Sequence, residues 1–258
     1  ELAQCPMKYF WNRGLGLGQP DEPMSRQDFS PDRRGIVYHE ILRDFYEELY
    51  QKRQTHELFD SAAVEILSRI FDRRCRPDGY RAFGIYPVVW ELILQHMKES
   101  LTSFVLADLH ELGSFTPAKF EIKVSAEPSE EIPFRLRGII DRVDLDEQHQ
   151  LFRIADYKSS RKAGKDLAEA FFKQLIFQPF LYSWIALRLK ELNGYSFDGA
   201  CLLAIQKGYQ RRELSAAEFE QMKERGCGFL KQLAELVRTG TFFINPSDKC
   251  AYCPYAAI

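Results

Sequence analysis

The 258 residues carry 35 Lys or Arg, 37 Asp or Glu and 45% hydrophobic side chains, enough apolar material for one large domain or two small ones and too much for a disordered tail. A formal charge of −2 excludes a uniformly basic nucleic-acid coat but leaves room for a focused basic groove. The longest apolar stretch, residues 177–189, is broken by Gln178, Pro179, Ser183 and Arg188, so no membrane span is expected; residues 1–10 lack the apolar core of a signal peptide, which points to a reducing cytoplasm.

In chain order, residues 1–30 are aromatic and then rich in Gly and Pro, as in a terminal clasp followed by a loop. Ser30-Pro31 offers a cap and a first-turn proline. Beyond it, Tyr38, Ile41, Leu42, Phe45, Tyr46 and Leu49 recur at helical spacing, with His39 at the border of the buried face. Further helices over 61–74 and 87–112 would bury Val64, Leu67, Ile70 and Phe71, then Val89, Ile93, Met97, Leu101 and Phe104. After Gly113 the period drops to two: Phe120, Ile122 and Val124 share one face of a strand and Glu121 points the other way. Strands over 134–145 and 151–158, joined by the polar turn 146–150, complete a three-stranded antiparallel meander. A long helix over 164–192, a fourth strand over 199–205 and a closing helix over 215–238 follow. The expected organisation is a single domain over 1–258. Its core is about 30–50 and 115–240, with a helical insertion at about 55–112 and a cysteine clasp of 1–12 with 245–258.

Alternation along the third strand brings Asp156 and Lys158 out on one face, and the neighbouring strand carries Asp141 alongside Asp156. Two close carboxylates repel unless a cation lies between them, and hard oxygen ligands suit Mg²⁺ or Mn²⁺. Taken singly, Asp141–Arg142 and Asp156–Lys158 also read as surface ion pairs, and Glu121 reads equally as a further acid near the metal or as an exposed strand residue.

Four short segments, in order, resemble the motifs of the PD-(D/E)XK nucleases, in particular their RecB- and AddB-like branch. They are Gly35-Ile36-Val37-Tyr38-His39-Glu40-Ile41-Leu42, Gly138-Ile139-Ile140-Asp141, Asp156-Tyr157-Lys158 and Gln178-Pro179-Phe180-Leu181-Tyr182. The resemblance implies a mixed α/β (α+β) fold with a restriction-endonuclease-like αβββαβ core, its mixed sheet flanked by helices. It further implies that His39, Asp141, Asp156 and the backbone carbonyl of Tyr157 hold the divalent ion. Lys158 would then orient the attacking water or stabilise charge on the phosphate, with Gln178 and Tyr182 holding Lys158 or a phosphate from one helical face.

Cys250-Ala251-Tyr252-Cys253, with Cys5 far upstream, resembles most of the four-cysteine iron–sulfur staple of AddB-like members; the family pattern expects the last cysteine just beyond residue 258. A structural zinc suits Cys-x-x-Cys as well. Cys75, Cys201 and Cys227 read as packing residues. Between Arg135 and Lys165 the chain holds eight Lys or Arg and five Asp or Glu. Arg161, Lys162 and Lys165 there, and Lys207, Arg211 and Arg212 after the fourth strand, are candidates to track a nucleic-acid backbone, or else solvated loop charges. No Gly-x-x-x-x-Gly-Lys-Ser/Thr loop is present, so the segment is not itself an ATP-driven motor. The resemblance implies a DNA exonuclease acting on single-stranded ends in recombination or break repair, with a helicase partner. The alternatives are an inactive nuclease-like DNA-binding or scaffold module, and an iron–sulfur module in which the acidic pair is incidental.

Overall fold

The computed structural model describes residues 2–17, 29–52, 59–159, 177–205, 209–247, 250–251 and 253–255. A short α1 (Pro6–Tyr9) precedes α2 (Pro31–Lys52). The Ser30 hydroxyl accepts from the Arg33 N–H at 3.4 Å, and Pro31 fills the first turn, where a missing N–H costs nothing. The apolar stripe from Tyr38 to Leu49 is buried, as its spacing requires. Next come α3 (Asp60–Arg74), α4 (Tyr80–Phe83) and α5 (Pro87–Glu111). α5 buries Met97, Leu101 and Phe104 as expected, but it exposes Val89 and hides a carboxylate, Asp108.

Five strands follow: β1 (Thr116–Ala126), β2 (Leu136–Asp146), β3 (Leu151–Lys158), β4 (Ser196–Ala204) and β5 (Gln210–Ser215), side by side in that order. β1, β2 and β3 form the expected antiparallel meander, β4 lies parallel to β3, and β5 returns antiparallel to β4. The sequence gives no sign of β5, because only Leu214 of its six residues is buried, which leaves no apolar alternation to detect. Between β3 and β4, α6 (Gln178–Ala186) carries Pro179 in its first turn, so the proline neither bends the helix nor shifts its register. The helix expected over 164–192 stops at Ala186, where the Arg188 and Leu189 N–H groups reach back only three residues; residues 164–176 lie outside the described part. A Ser215/Glu218 capping box opens α7 (Ala216–Thr239), and Gly240 at φ 67° closes it.

Helices cover both faces of the sheet. α2, α3 and α5 pack on Ala155, Tyr157, Cys201 and Leu203. On the other face α6 and α7 pack on Ile140, Val143, Phe152, Ile154, Ala200, Leu202 and Leu214. In β3 and β4 the alternation between layers is regular. In β1 and β2 it slips once: Phe120 joins the α2 layer while Ile122 and Val124 join the α6 layer, and Ile140 and Val143 of β2 face the same layer although three residues apart. This corrects the expectation that Phe120, Ile122 and Val124 share a face. The two slips sit side by side, because Phe120 pairs with Arg142 and Ile122 with Ile140. Glu121, between them, takes φ 48°, a left-handed conformation that L-residues avoid.

Candidate active site

The β2–β3 ladder runs from Asp146 and Leu151 to Arg142 and Ala155 and then ends. One further step in the same register puts Asp141 across from Asp156. At that step a side chain takes over from the ladder: the Tyr157 N–H donates to Asp141 Oδ2 at 2.7 Å. β3 remains paired with β4 through Lys158, so the third strand holds its course while the second veers away. The gap between them is the site.

On the α6 side of the gap, the Lys158 ammonium is paired with Asp156 Oδ2 and donates to Gln178 Oε1 at 2.8 Å. The same Gln178 amide donates through Nε2 to Asp156 Oδ1 at 2.7 Å. Each of the three groups is thus fixed by the other two. An ammonium has three donors, and this triangle uses two of them. Tyr182, one turn further along α6, lies against Gly138; a Cβ there would come within 2.5 Å of Tyr182 Cε1, so the glycine is what lets the ring approach β2.

On the α2 side, His39 Nδ1 lies 3.4 Å from Asp141 Oδ1 and 3.9 Å from Glu121 Oε1. Its ring meets that of Tyr157 edge-on at 5.6 Å. Among the described residues, His39, Glu121 and Asp141 form the group able to hold a metal ion, with ligand atoms all within 4.8 Å of one another. Glu121 reaches it through the strand slip. A regular β1 would give its side chain to one helical layer or the other, whereas the left-handed turn of backbone aims it at Asp141.

The electrostatics are those of an acidic cluster short of positive charge. Burial and the Asp141 carboxylate raise the Asp156 pKa from 3.8 to about 6, against the opposing pull of Lys158 and His39. Burial and Asp141 also raise Glu121. Burial disfavours the His39 imidazolium, but the hydrogen bond and charge of Asp141, with Asp156 and Glu121 behind it, leave the His39 pKa raised. All three shifts favour proton uptake, which is what closely set carboxylates do when no other cation neutralises them.

With a carboxylate pair, a lysine and a helical histidine now in one gap, the comparison with known proteins is specific. The PD-(D/E)XK nuclease superfamily model matches residues 1–258. The chain belongs to that superfamily. A five-stranded mixed sheet flanked by helices is the fold expected of its members. Similar curated proteins include a subunit of the ATP-dependent helicase/deoxyribonuclease of Staphylococcus saprophyticus, 26% identical over 212 residues, and its counterpart in Clostridioides difficile, 29% identical over 180 residues. These matches cover 74% and 63% of this chain but only 17% and 15% of the relatives' own length. A solved structure, the crystal structure of SSO0001, overlaps 86% of this chain and 83% of its own at a TM-score of 0.37 and 13% identity, too loose a likeness to carry an argument.

For this PD-(D/E)XK chain, the structure brings together His39, Asp141, Asp156, Tyr157, Lys158 and Gln178, with Tyr182 on the adjoining turn. Arg161, Lys162, Lys165 and Lys207 lie outside the described residues. Arg211 is occupied by the Glu111 carbonyl at 3.1 Å and by Glu213. Arg142 and Arg153, two of the basic residues between 135 and 165, are 1% and 5% exposed and face the interior.

The two terminal segments meet each other. The Met7 N–H donates to the Phe243 carbonyl at 3.1 Å, Asn245 Nδ2 to the Gln4 carbonyl at 3.0 Å, and Phe10 stacks on Phe242 at 4.6 Å. Cys5, Cys250 and Cys253 are free thiols in these segments. Cys75, Cys201 and Cys227 are buried, and burial pushes the first two up to about 12 and about 11. No helix among the described residues is long and apolar enough to cross a membrane.

Proposed function

We propose that this chain is a divalent-metal-dependent nuclease domain that hydrolyses phosphodiester bonds in DNA. The observation that carries the reading is the cluster of carboxylates in the gap, where, among the described residues, Glu121, Asp141 and Asp156 face one ammonium and a histidine, with Arg43 beyond Glu121. A bound Mg²⁺ or Mn²⁺ supplies the charge that neutralises them and polarises the scissile phosphate. Asp141, Asp156, His39 and the Tyr157 carbonyl would hold it, and Glu121 is near enough to join them. His39 offers Nδ1 only when neutral, so a loaded site needs the imidazole proton gone.

Lys158 has two donors committed to Asp156 and Gln178, and its third, without a partner among the described residues, would orient an attacking water or meet a phosphate oxygen. Gln178 keeps that ammonium aimed. Arg161, Lys162 and Lys165, a few residues past Lys158 in sequence, would track the strand. The names of the relatives, which join a helicase to a deoxyribonuclease, support DNA as substrate and a helicase partner; in this reading the domain acts on single-stranded ends in recombination or break repair. Cys5, Cys250 and Cys253, on terminal segments already hydrogen-bonded to each other, would give thiolates to a [4Fe–4S] cluster.

End-labelled single- and double-stranded DNA, incubated with Mg²⁺, Mn²⁺ or EDTA, tests the activity. Cleavage should require the metal, favour single-stranded ends and vanish in Asp141→Asn. Cleavage that persists in EDTA or in that variant would refute the assignment.

A further inference from the structure

Under α2 and α5, on the face of the sheet from which His39 enters the gap, stands a second charged group that the proposed chemistry leaves unused. Arg142, next in sequence to Asp141, donates through Nη1 to Asp108 Oδ2 of α5 at 2.6 Å and to the Tyr157 hydroxyl at 3.0 Å. Its Nη2 donates to Asp144 Oδ2 at 3.1 Å, and its guanidinium lies 4.6 Å from the centre of the Tyr46 ring. The Tyr46 hydroxyl donates to Asp108, and the Tyr209 hydroxyl reaches the other Asp108 oxygen at 3.2 Å. Members of this group adjoin the site in sequence: Arg142 follows Asp141, Tyr157 follows Asp156, and Tyr46 lies two turns along α2 from His39.

We infer that Arg142, held between Asp108 and Tyr157, is a positioning residue that fixes the spacing of Asp141 and Asp156 and thereby sets the affinity of the site for a divalent cation. The backbone ladder ends at Arg142 and Ala155, one step short of the two acids. Beyond that step, two described bonds span the gap between β2 and β3: Tyr157 N–H to Asp141 at the site, and Arg142 to the Tyr157 hydroxyl under α2 and α5. The second is a diagonal cross-strand contact made by a planar, rigid donor that Asp108 and Asp144 hold in orientation. Groups that support metal ligands in this way govern metal affinity about 10–100-fold. Asp108 sits on α5, outside the four sequence motifs, so no motif search would find it.

The inference rests on the metal reading above, and its test separates the two. Mn²⁺ binding is measured by calorimetry on wild type, Tyr157→Phe and Asp108→Asn, beside the thermal unfolding of each metal-free protein. Tyr157→Phe keeps the ring and the Arg142–Asp108 pair and removes only the bond across the gap; it should unfold cooperatively and bind Mn²⁺ roughly ten-fold more weakly. Asp108→Asn should weaken binding further, and if it fails to fold, Tyr157→Phe decides alone. Wild-type affinity in a folded Tyr157→Phe overturns the positioning role and leaves the metal site standing. Failure of the wild type to bind Mn²⁺ overturns the metal site and this inference with it.

Discussion

Two charged clusters adjoin along the β2–β3 pair, a front one in the gap and a rear one deeper under α2 and α5, and they differ in balance. In the rear cluster, Asp108 and Asp144 meet Arg142 and Arg153; all four are nearly inaccessible, and the contacts are close in both directions. In the gap, Glu121, Asp141 and Asp156 meet, among the described residues, the Lys158 ammonium, a histidine whose pKa Asp141 holds raised against burial, and the more distant Arg43 guanidinium beside Glu121. Burying charge is unfavourable unless close partners offset it. The rear cluster is balanced internally, so it fixes structure. The front cluster holds more carboxylate than its described cations offset, and although Asp141 and Asp156 are buried, His39, Glu121 and Lys158 stay 28%, 30% and 33% exposed, the condition of a site that receives a cation from outside.

The largest expected effects break the two clusters in opposite ways. Arg142→Ala leaves Asp108 buried without its ion partner and should destabilise the protein by about 3–5 kcal/mol, read as a drop in the chemical-denaturation midpoint. Lys158→Met removes a one-third exposed amine from beside Asp156, a buried carboxylate whose pKa is already raised to about 6 and which can take up a proton instead, so stability should fall by less than in Arg142→Ala. Cleavage should nevertheless fall roughly 10²–10⁴-fold in a single-turnover assay. If Lys158→Met unfolds the protein while Arg142→Ala leaves it stable, the division into a functional front and a structural rear is wrong.

The two clusters also differed in how legible they were in sequence. The front one was readable because its residues lie on regular elements at motif spacing: α2 delivers His39, the meander pairs Asp141 with Asp156, and α6 aims Gln178. The register of His39 follows from the helical period and that of Asp156 from alternation in β3, while Asp141 sits in the slip of β2 and is read from its motif. Glu121 was readable only as one of two equal alternatives, since its direction comes from a local slip between layers that leaves no pattern in residue types. The rear cluster did carry a signal. Asp108 follows Leu101, Phe104 and Val105 by seven, four and three positions, so a helix that buries them buries it too, and a buried carboxylate demands a cation. Arg142 and Arg153 were instead counted toward a surface groove, because alternation in a strand says which face a residue takes but not whether that face is covered.

A smaller effect comes from protons standing in for the missing cation. Asp156 rises from 3.8 to about 6 on folding, so between those values the native state keeps a proton that the unfolded chain has released. The stability of the metal-free protein should therefore fall as pH rises from about 4 to about 6, by on the order of 3 kcal/mol for this group. Asp44 and Asp108, whose pKa values the structure lowers, act below that window with the opposite sign. Denaturation midpoints across this range in EDTA should show the decline, Asp156→Asn should flatten it, and saturating Mn²⁺ should reverse it by binding the deprotonated native state. A midpoint that climbs through the window in EDTA would mean that the front cluster is balanced after all.

The smallest effect concerns Glu121, the one site residue whose own backbone opposes its position. A left-handed φ costs an ordinary residue roughly 1–2 kcal/mol, and Asn tolerates it better because its short amide bonds locally. Glu121→Asn also removes a carboxylate that Asp141 repels. Without metal the variant should be about 1 kcal/mol more stable than wild type, while its affinity for Mn²⁺ drops. A gain in stability coupled to a loss in binding is the mark of strain kept for function. Should Glu121→Asn instead lose stability and bind Mn²⁺ unchanged, the slip in β1 serves packing, and Asp141 and Asp156 alone carry the negative charge that the gap must neutralise.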